Sequence, residues 1–282
     1  MTHPAKILKA NRRFAEKKLG QNFLADPSSA EMIVRSAGIC SGETVVEIGA
    51  GLGAITIEAA RKAEKVIAVE KDRNLVPLLE KEIEISGVKN IEVICADVMD
   101  MDFGKIQGSK ELVILGNLPY NISSQVLFRL VENRRFLKRA VLMFQKELAE
   151  RITARPGGKN YTRLSAVMNY CSETKKVADL RPDLFFPKPG VSSRVVNISF
   201  FPPVLDPERE VLFFRIIKAA FSKRRKTLRN ALAGDELGIN RQQAEKWLAD
   251  SGISPERRAQ TVNTEEFLTL LDNFHTGSIV RG

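Results

Sequence analysis

From Thr44 to Phe144 the chain repeats one pattern. A short apolar run ends in a glycine or a polar residue, and a segment with apolar residues every third or fourth position follows. The runs 44–48, 66–70, 91–95, 112–115 and 140–144 read as strands. The segments 53–61, 74–86, 123–131 and 146–154 read as helices. Ahead of them, Asp26-Pro27 supplies an N-cap and a first-turn proline for a helix over 27–37 that stops at Gly38. Such alternation predicts βαβ units and a mainly parallel sheet, with the loops after each strand gathered along one edge. Glu47, Glu70, Asp97 and Asn117 all fall at or just beyond a strand's carboxyl end. In open parallel sheets, ligands bind at that edge.

A last strand is expected over 195–201, paired with one near 175–180. Pro202-Pro203 and Asp206-Pro207 then break the chain. Beyond them the period is helical: 211–221, 227–232, 241–250 and 265–274. This reading gives residues 1–205 as an α/β catalytic domain with a basic amino-terminal segment, and 206–282 as a small all-helical domain. The length of 282 residues suits such a pair.

Composition narrows the chemistry. The only histidines, His3 and His275, lie near the termini, which argues against an imidazole base in a central pocket. Cys40, Cys95 and Cys171 are far apart, so neither a metal site nor a disulfide framework is expected. Cys95 reads as a small buried hydrophobe. Reduced thiols fit a cytoplasmic setting. The basic stretch 1–13 is not a secretory signal, and no apolar run is long enough to span a bilayer. The formal net charge is +10, which favours a polyanionic partner.

Gly49, Gly51 and Gly53 follow the first strand of the repeat and let the backbone approach a ligand closely. The stretch 49–54 also satisfies the relaxed dinucleotide fingerprint, so a nicotinamide cofactor stays open at this point. Glu70 would hold ribose hydroxyls in either case. Two acids favour S-adenosylmethionine. Glu47 would crowd a pyrophosphate but can face a cation, and Asp97 can accept a proton from an adenine amino group. An ion-paired Glu47 and a turn-capping Asp97 are the plain alternatives.

Asn117-Leu118-Pro119-Tyr120 is the most informative tetrapeptide. The Asn117 oxygen and a backbone carbonyl near Leu118 can accept both protons of an exocyclic amine. Pro119 holds the turn through its fixed φ, and Tyr120 can stack on the base and stabilise positive charge. A core tyrosine beside a proline turn would show the same letters.

Gly20-Gln21-Asn22-Phe23-Leu24, 46–53 and 116–123 occur in that order. Together they closely resemble the small-subunit rRNA adenine dimethyltransferases, the KsgA family. The resemblance runs on through 159–165, 185–193 and 220–232 and covers roughly residues 17–270. It implies a class I, Rossmann-like methyltransferase fold with a mostly parallel seven-stranded sheet. It implies S-adenosylmethionine as donor and dimethylation of N6 on two adjacent adenosines near the 3′ end of 16S rRNA. It implies Asn22, Leu24, Gly49, Glu70, Asp97 and Asn117 as donor-binding positions, joined by Glu47 and Gly51 from the glycine turn. Phe185 to Ser193 matches F-x-P-x-P-x-V-x-S, which makes Phe185 the ring expected to stack on the target base opposite Tyr120. Implied partners are small-subunit rRNA and the immature 30S particle, for a monomer working in the cytoplasm without a membrane.

Three basic clusters could meet that RNA: Lys6, Lys9, Arg12, Arg13, Lys17 and Lys18; Arg134, Arg135, Lys138 and Arg139; and Lys223, Arg224, Arg225, Lys226 and Arg229. A charge run is often only a solvated face. Three rivals are set against the leading reading: the related 23S-type adenine methyltransferases, a binding module acting in assembly or transcription, and an NAD-dependent dehydrogenase. The long carboxyl-terminal segment and the proline loop speak against the first.

Overall fold

The computed structural model describes residues 2–107, 111–223 and 225–274. The chain enters through α1 (Pro4–Ala10), β1 (Phe23–Leu24) and α2 (Pro27–Ser36). Asp26 caps α2 through Ser29 N–H at 2.8 Å, and the left-handed Gly38 lies two residues beyond its end. The alternating part follows as β2 (Thr44–Ile48), α3 (Ala54–Ala60), β3 (Lys65–Glu70), α4 (Val76–Ser86), β4 (Ile91–Cys95), α5 (Phe103–Gln107), β5 (Leu112–Asn117), α6 (Ser123–Glu132) and β6 (Leu137–Gln145). After α7 (Lys146–Ile152) and α8 (Arg163–Cys171) come β7 (Ser172–Leu180), β8 (Phe185–Phe186) and β9 (Ser193–Phe200). The last helices are α9 (Pro207–Ala220), α10 (Leu228–Leu232), α11 (Arg241–Asp250) and α12 (Thr264–Asp272).

Seven strands form the main sheet in the order β4-β3-β2-β5-β6-β9-β7. β4 through β6 are parallel, and β9 runs antiparallel between β6 and β7. Val45, Val46, Val66, Val113, Ile114 and Ala140 are fully buried, as expected for strands covered on both faces. Cys95 differs from expectation. It ends β4, the edge strand, and is exposed. An apolar run alone does not distinguish an edge strand from a central one.

The order reverses between β2 and β5, which places a crevice at their carboxyl ends. Gly116 is needed there for close approach. A Cβ on it would lie 2.8 Å from the Ile48 carbonyl oxygen. A second, two-stranded sheet pairs β1 with β8, Phe23 opposite Phe186 and Leu24 opposite Phe185.

The chain divides into two units, Met1–Ala149 with Ser172–Pro202, and Glu150–Cys171 with Pro203–Gly282. The single division expected at 205/206 is therefore replaced by an interleaved one. Within the second unit, α8 packs on α9 and α12, and the Tyr170 and Phe213 rings lie 4.4 Å apart. Residues 150–171 join those helices because α8 buries Ala166, Val167, Met168 and Tyr170.

Candidate active site

A cavity of about 220 Å³ opens at the switch point. The turns after β2, β3, β4 and β5 form its floor and sides, and the segment Lys18 to Leu24 lies along it. The expected positions Asn22, Leu24, Glu47, Gly49, Gly51, Glu70, Asp97, Asn117, Leu118, Pro119 and Tyr120 all line it.

Glu47 is 2 % exposed and accepts a hydrogen bond from the Thr56 hydroxyl on α3. Burial pushes its carboxyl up to about 8, and the nearby Glu70 adds to the rise. Glu70 is also buried and is raised by the same cause. Its two oxygens accept N–H bonds from Gly51 and Asp72, each 2.8 Å long. Gly51 has φ +56°, and a Cβ there would meet the Phe23 ring at 3.1 Å. Its backbone is thus free to aim its N–H at Glu70. Asp97 accepts from Lys71 at 2.6 Å and from Met99 N–H at 3.0 Å, and the Lys71 ammonium holds its carboxyl below the usual range.

Asn117 ends β5 with its side chain half-buried. Its Nδ2 donates to the Asn22 carbonyl at 2.7 Å. That bond fixes the amide so that Oδ1 is the free end, and among the described residues Oδ1 accepts no hydrogen bond. The Pro119 carbonyl is occupied by the Ser123 hydroxyl at 2.8 Å and Ile122 N–H at 3.2 Å. The Leu118 carbonyl accepts none among the described residues. The slot therefore offers two acceptors that no other group uses among the described residues. Tyr120 is anchored by a 2.7 Å hydrogen bond with Ser193, and burial raises its phenol.

Phe185 is not part of this wall. It is 4 % exposed and packs in the core with Leu24, Leu180 and Val195. The expectation that it stacks on the target base is corrected. In β8 successive side chains face opposite ways, and pairing with β1 turns Phe185 inward and Phe186, 36 % exposed, outward.

Several residues escaped the sequence reading. Gln21 donates to Asp72 at 2.7 Å and accepts Glu16 N–H at 2.7 Å, tying the amino-terminal segment over the cavity. It lies inside the Gly20–Leu24 motif, which was the available signal. Thr56 and Ser193 orient Glu47 and Tyr120; Ser193 closes the F-x-P-x-P-x-V-x-S stretch, which was the available signal, whereas nothing local in the sequence marks Thr56. His3, although terminal in sequence, is near the cavity. Thr2 and Pro4 line it, and the His3 ring lies 6.1 Å from that of Phe186. Its Nδ1 is used to cap α1. His275 lies outside the described residues. No metal-binding group of His, Cys, Asp or Glu occurs among the described residues.

The donor set fits a molecule with a diol, a cationic centre and an amino-bearing ring. Glu70 offers a buried carboxylate for hydroxyls, Glu47 a buried acid for a cation, and Asp97 an acceptor at the far wall.

Residues 12–276 match the family model described as ribosomal RNA adenine dimethylase. A relative from Desulforapulum autotrophicum, named ribosomal RNA small subunit methyltransferase A, is 54 % identical over 273 residues, 96 % of either chain. A solved dimethyladenosine transferase from Plasmodium falciparum aligns with a TM-score of 0.74 and 28 % identity, over 89 % of this chain and 97 % of the other. The 23S rRNA methyltransferase ErmE aligns with a TM-score of 0.68 and 24 % identity, over 89 % and 98 %, which speaks to the fold.

Proposed function

Because this chain belongs to the ribosomal RNA adenine dimethylase family, we infer that it is an S-adenosylmethionine-dependent rRNA (adenine-N6,N6)-dimethyltransferase. Its substrate is the pair of adjacent adenosines in the 3′-terminal hairpin loop of small-subunit rRNA. It acts as a monomer on the immature 30S particle in the cytoplasm. Among the described residues no helix is long and apolar enough to cross a membrane.

The observation that supports this reading most directly is the orientation of Asn117. Adenine N6 is a poor nucleophile because its lone pair is delocalised into the ring. Asn117 Oδ1 and the Leu118 carbonyl accept its two protons, which favours a pyramidal nitrogen with its lone pair exposed. S-adenosylmethionine supplies an electrophilic methyl on a sulfonium. Tyr120 stacks on the base and stabilises the positive charge that develops there. Glu70 holds the donor's ribose, Asp97 its adenine, and Glu47 faces its cationic end. With base and donor held side by side by these residues, the N–C bond would form as the S–C bond breaks and leaves a neutral thioether; no side-chain base would be needed, and positioning would carry the rate. The proton released from N6 passes to water.

The test is methyl transfer from labelled donor to small-subunit particles lacking the modification, with the modified nucleotides mapped. Dimethylated adenosines in the 3′-terminal loop are expected. Label on large-subunit rRNA instead would favour the 23S-type reading.

A further inference from the structure

The three basic clusters differ sharply in how they are used. In the second, Lys138 and Arg139 both pair with Glu43, at 2.9 and 2.6 Å, and Arg134 is 3 % exposed. Arg139 also donates to the Ala37 and Gly38 carbonyls. In the third, Arg229 pairs with Glu245 at 3.0 Å and Glu256 at 2.7 Å. Arg224 lies outside the described residues. Those guanidinium groups hold the fold together.

Lys223, Arg225 and Lys226 of the third cluster are exposed, so free charge alone does not set the first cluster apart; the exposed ring among its cations does. Residues 1–18 carry six Lys and Arg against Glu16 alone. Lys6, Lys9, Arg12, Arg13 and Lys18 are exposed, and none forms an ion pair among the described residues. The side chain of Lys17 is outside the described set. Phe14, between Arg13 and Ala15, is 87 % exposed, the most exposed large apolar side chain among the described residues. The segment is nevertheless anchored. Ile7 and Leu8 of α1 pack with Phe23 and Leu52, and Ala15 packs against the same cluster.

The end of α1 adds a second signal. Arg13 N–H bonds to the Leu8 carbonyl at 2.9 Å and Arg12 N–H to the Lys9 carbonyl at 3.2 Å, the double bond pattern that closes a helix. Arg12 occupies the left-handed position of that closure with φ 52°, and it is the one non-glycine residue with positive φ among the described residues. Glycine suits that position without strain. The chain keeps an arginine there at a conformational cost, which directs attention to what the side chain does.

We propose that Phe14, flanked by Arg12, Arg13, Lys9 and Lys18, is a stacking platform for an unpaired base of the rRNA next to the target loop. The aromatic face takes any base, and the cations take the flanking phosphates. Lys18 lines the catalytic cavity, and four residues of chain span at most about 14 Å, so the platform lies beside the slot. This inference rests on the reading of the chain as an RNA methyltransferase.

The test uses the full chain and a fluorescent oligoadenylate of about ten nucleotides, with binding followed by anisotropy between about 50 and 200 mM salt. Phe14→Ala is expected to weaken binding about tenfold, and Phe14→Trp to restore it. Arg12→Gly is expected to raise the thermal midpoint while lowering the salt slope by about 0.7 and weakening RNA binding. A gain in stability with a loss in RNA affinity separates a binding role from a structural one. The affinity for S-adenosylmethionine should not change. Unaltered RNA affinity in Phe14→Ala overturns the proposal. So does binding to phosphatidylglycerol vesicles that Phe14→Ala abolishes while RNA binding persists. If the wild-type protein binds the oligonucleotide through Phe14 but methylates no small-subunit rRNA, the platform stands and the functional reading falls.

Discussion

Replacing Glu47 with Gln should stabilise the donor-free protein, by an amount that depends steeply on pH. Gln has nearly the same shape, stays neutral, and can still accept the Thr56 hydroxyl. In the wild type, burial moves the carboxyl from 4.5 to about 8. The folded state therefore holds this proton more tightly than the unfolded chain does. The stability linked to it is complete below pH 4.5 and is lost as pH rises toward 8. Three pH units at about 1.36 kcal/mol each amount to about 4 kcal/mol by pH 7.5. Glu47→Gln escapes that loss, so its advantage should grow from near zero at about pH 4.5 to about 4 kcal/mol at about pH 7.5. Urea midpoints for both proteins across that range, without donor, measure it directly. Donor affinity should move the other way. A cation beside Glu47 favours the carboxylate, so wild-type affinity for S-adenosylmethionine rises with pH and the Gln variant loses that rise. A stability difference that stays flat from about pH 5 to pH 8 would refute the claim that a buried proton sits at this site.

Other expectations are simpler to state. Asn117→Asp keeps an acceptor but loses the Nδ2 donor to Asn22 and adds a charge; methyl transfer should fall by about a hundredfold or more, with the fold intact by circular dichroism. Gly116→Ala drives a Cβ to within 2.8 Å of the Ile48 carbonyl and should cost about 1–3 kcal/mol in urea unfolding, with the switch-point cavity distorted. Phe185→Ala should cost about 3–5 kcal/mol, as a core deletion does, whereas Phe186→Ala should leave the unfolding midpoint nearly unchanged. Equal effects of the last two substitutions would contradict the inward and outward assignment in β8.

The parallel strands were legible because they are short, mostly apolar runs closed by a glycine or a polar residue, and in the central ones, β2, β3 and β5, burial on both faces leaves Glu47 and Glu70 as the only buried polar side chains. The convergence of Glu47, Glu70, Asp97 and Asn117 was legible for the same reason: parallel register brings strand carboxyl ends to one edge. What failed to show was information held by the partner of an element. Phe185 and Phe186 differ only in which way β8 faces, and β1, more than a hundred and fifty residues earlier, sets that. α1 is only seven residues long and buries Pro4, Ile7 and Leu8, too little for a periodic signal. α8 is buried on most sides, so no polar face marks its period.

Asn117 shows how the same limit reaches the chemistry. The residue type is visible in the sequence, and so is its place after a strand. Which end of its amide meets the substrate is not. With Nδ2 turned inward the slot accepts protons; with Oδ1 turned inward it would donate them and repel the amine. The choice is made by the Asn22 carbonyl, 95 residues away, which can only accept. Asn22 is held there by the segment that Gln21 ties to Asp72. A substitution at Gln21 that loosens this tie should thus lower the rate at saturating RNA and donor, through an amide free to rotate, although Gln21 need touch no reacting atom. The catalytic tetrapeptide supplies the groups, and the amino-terminal strap decides their polarity.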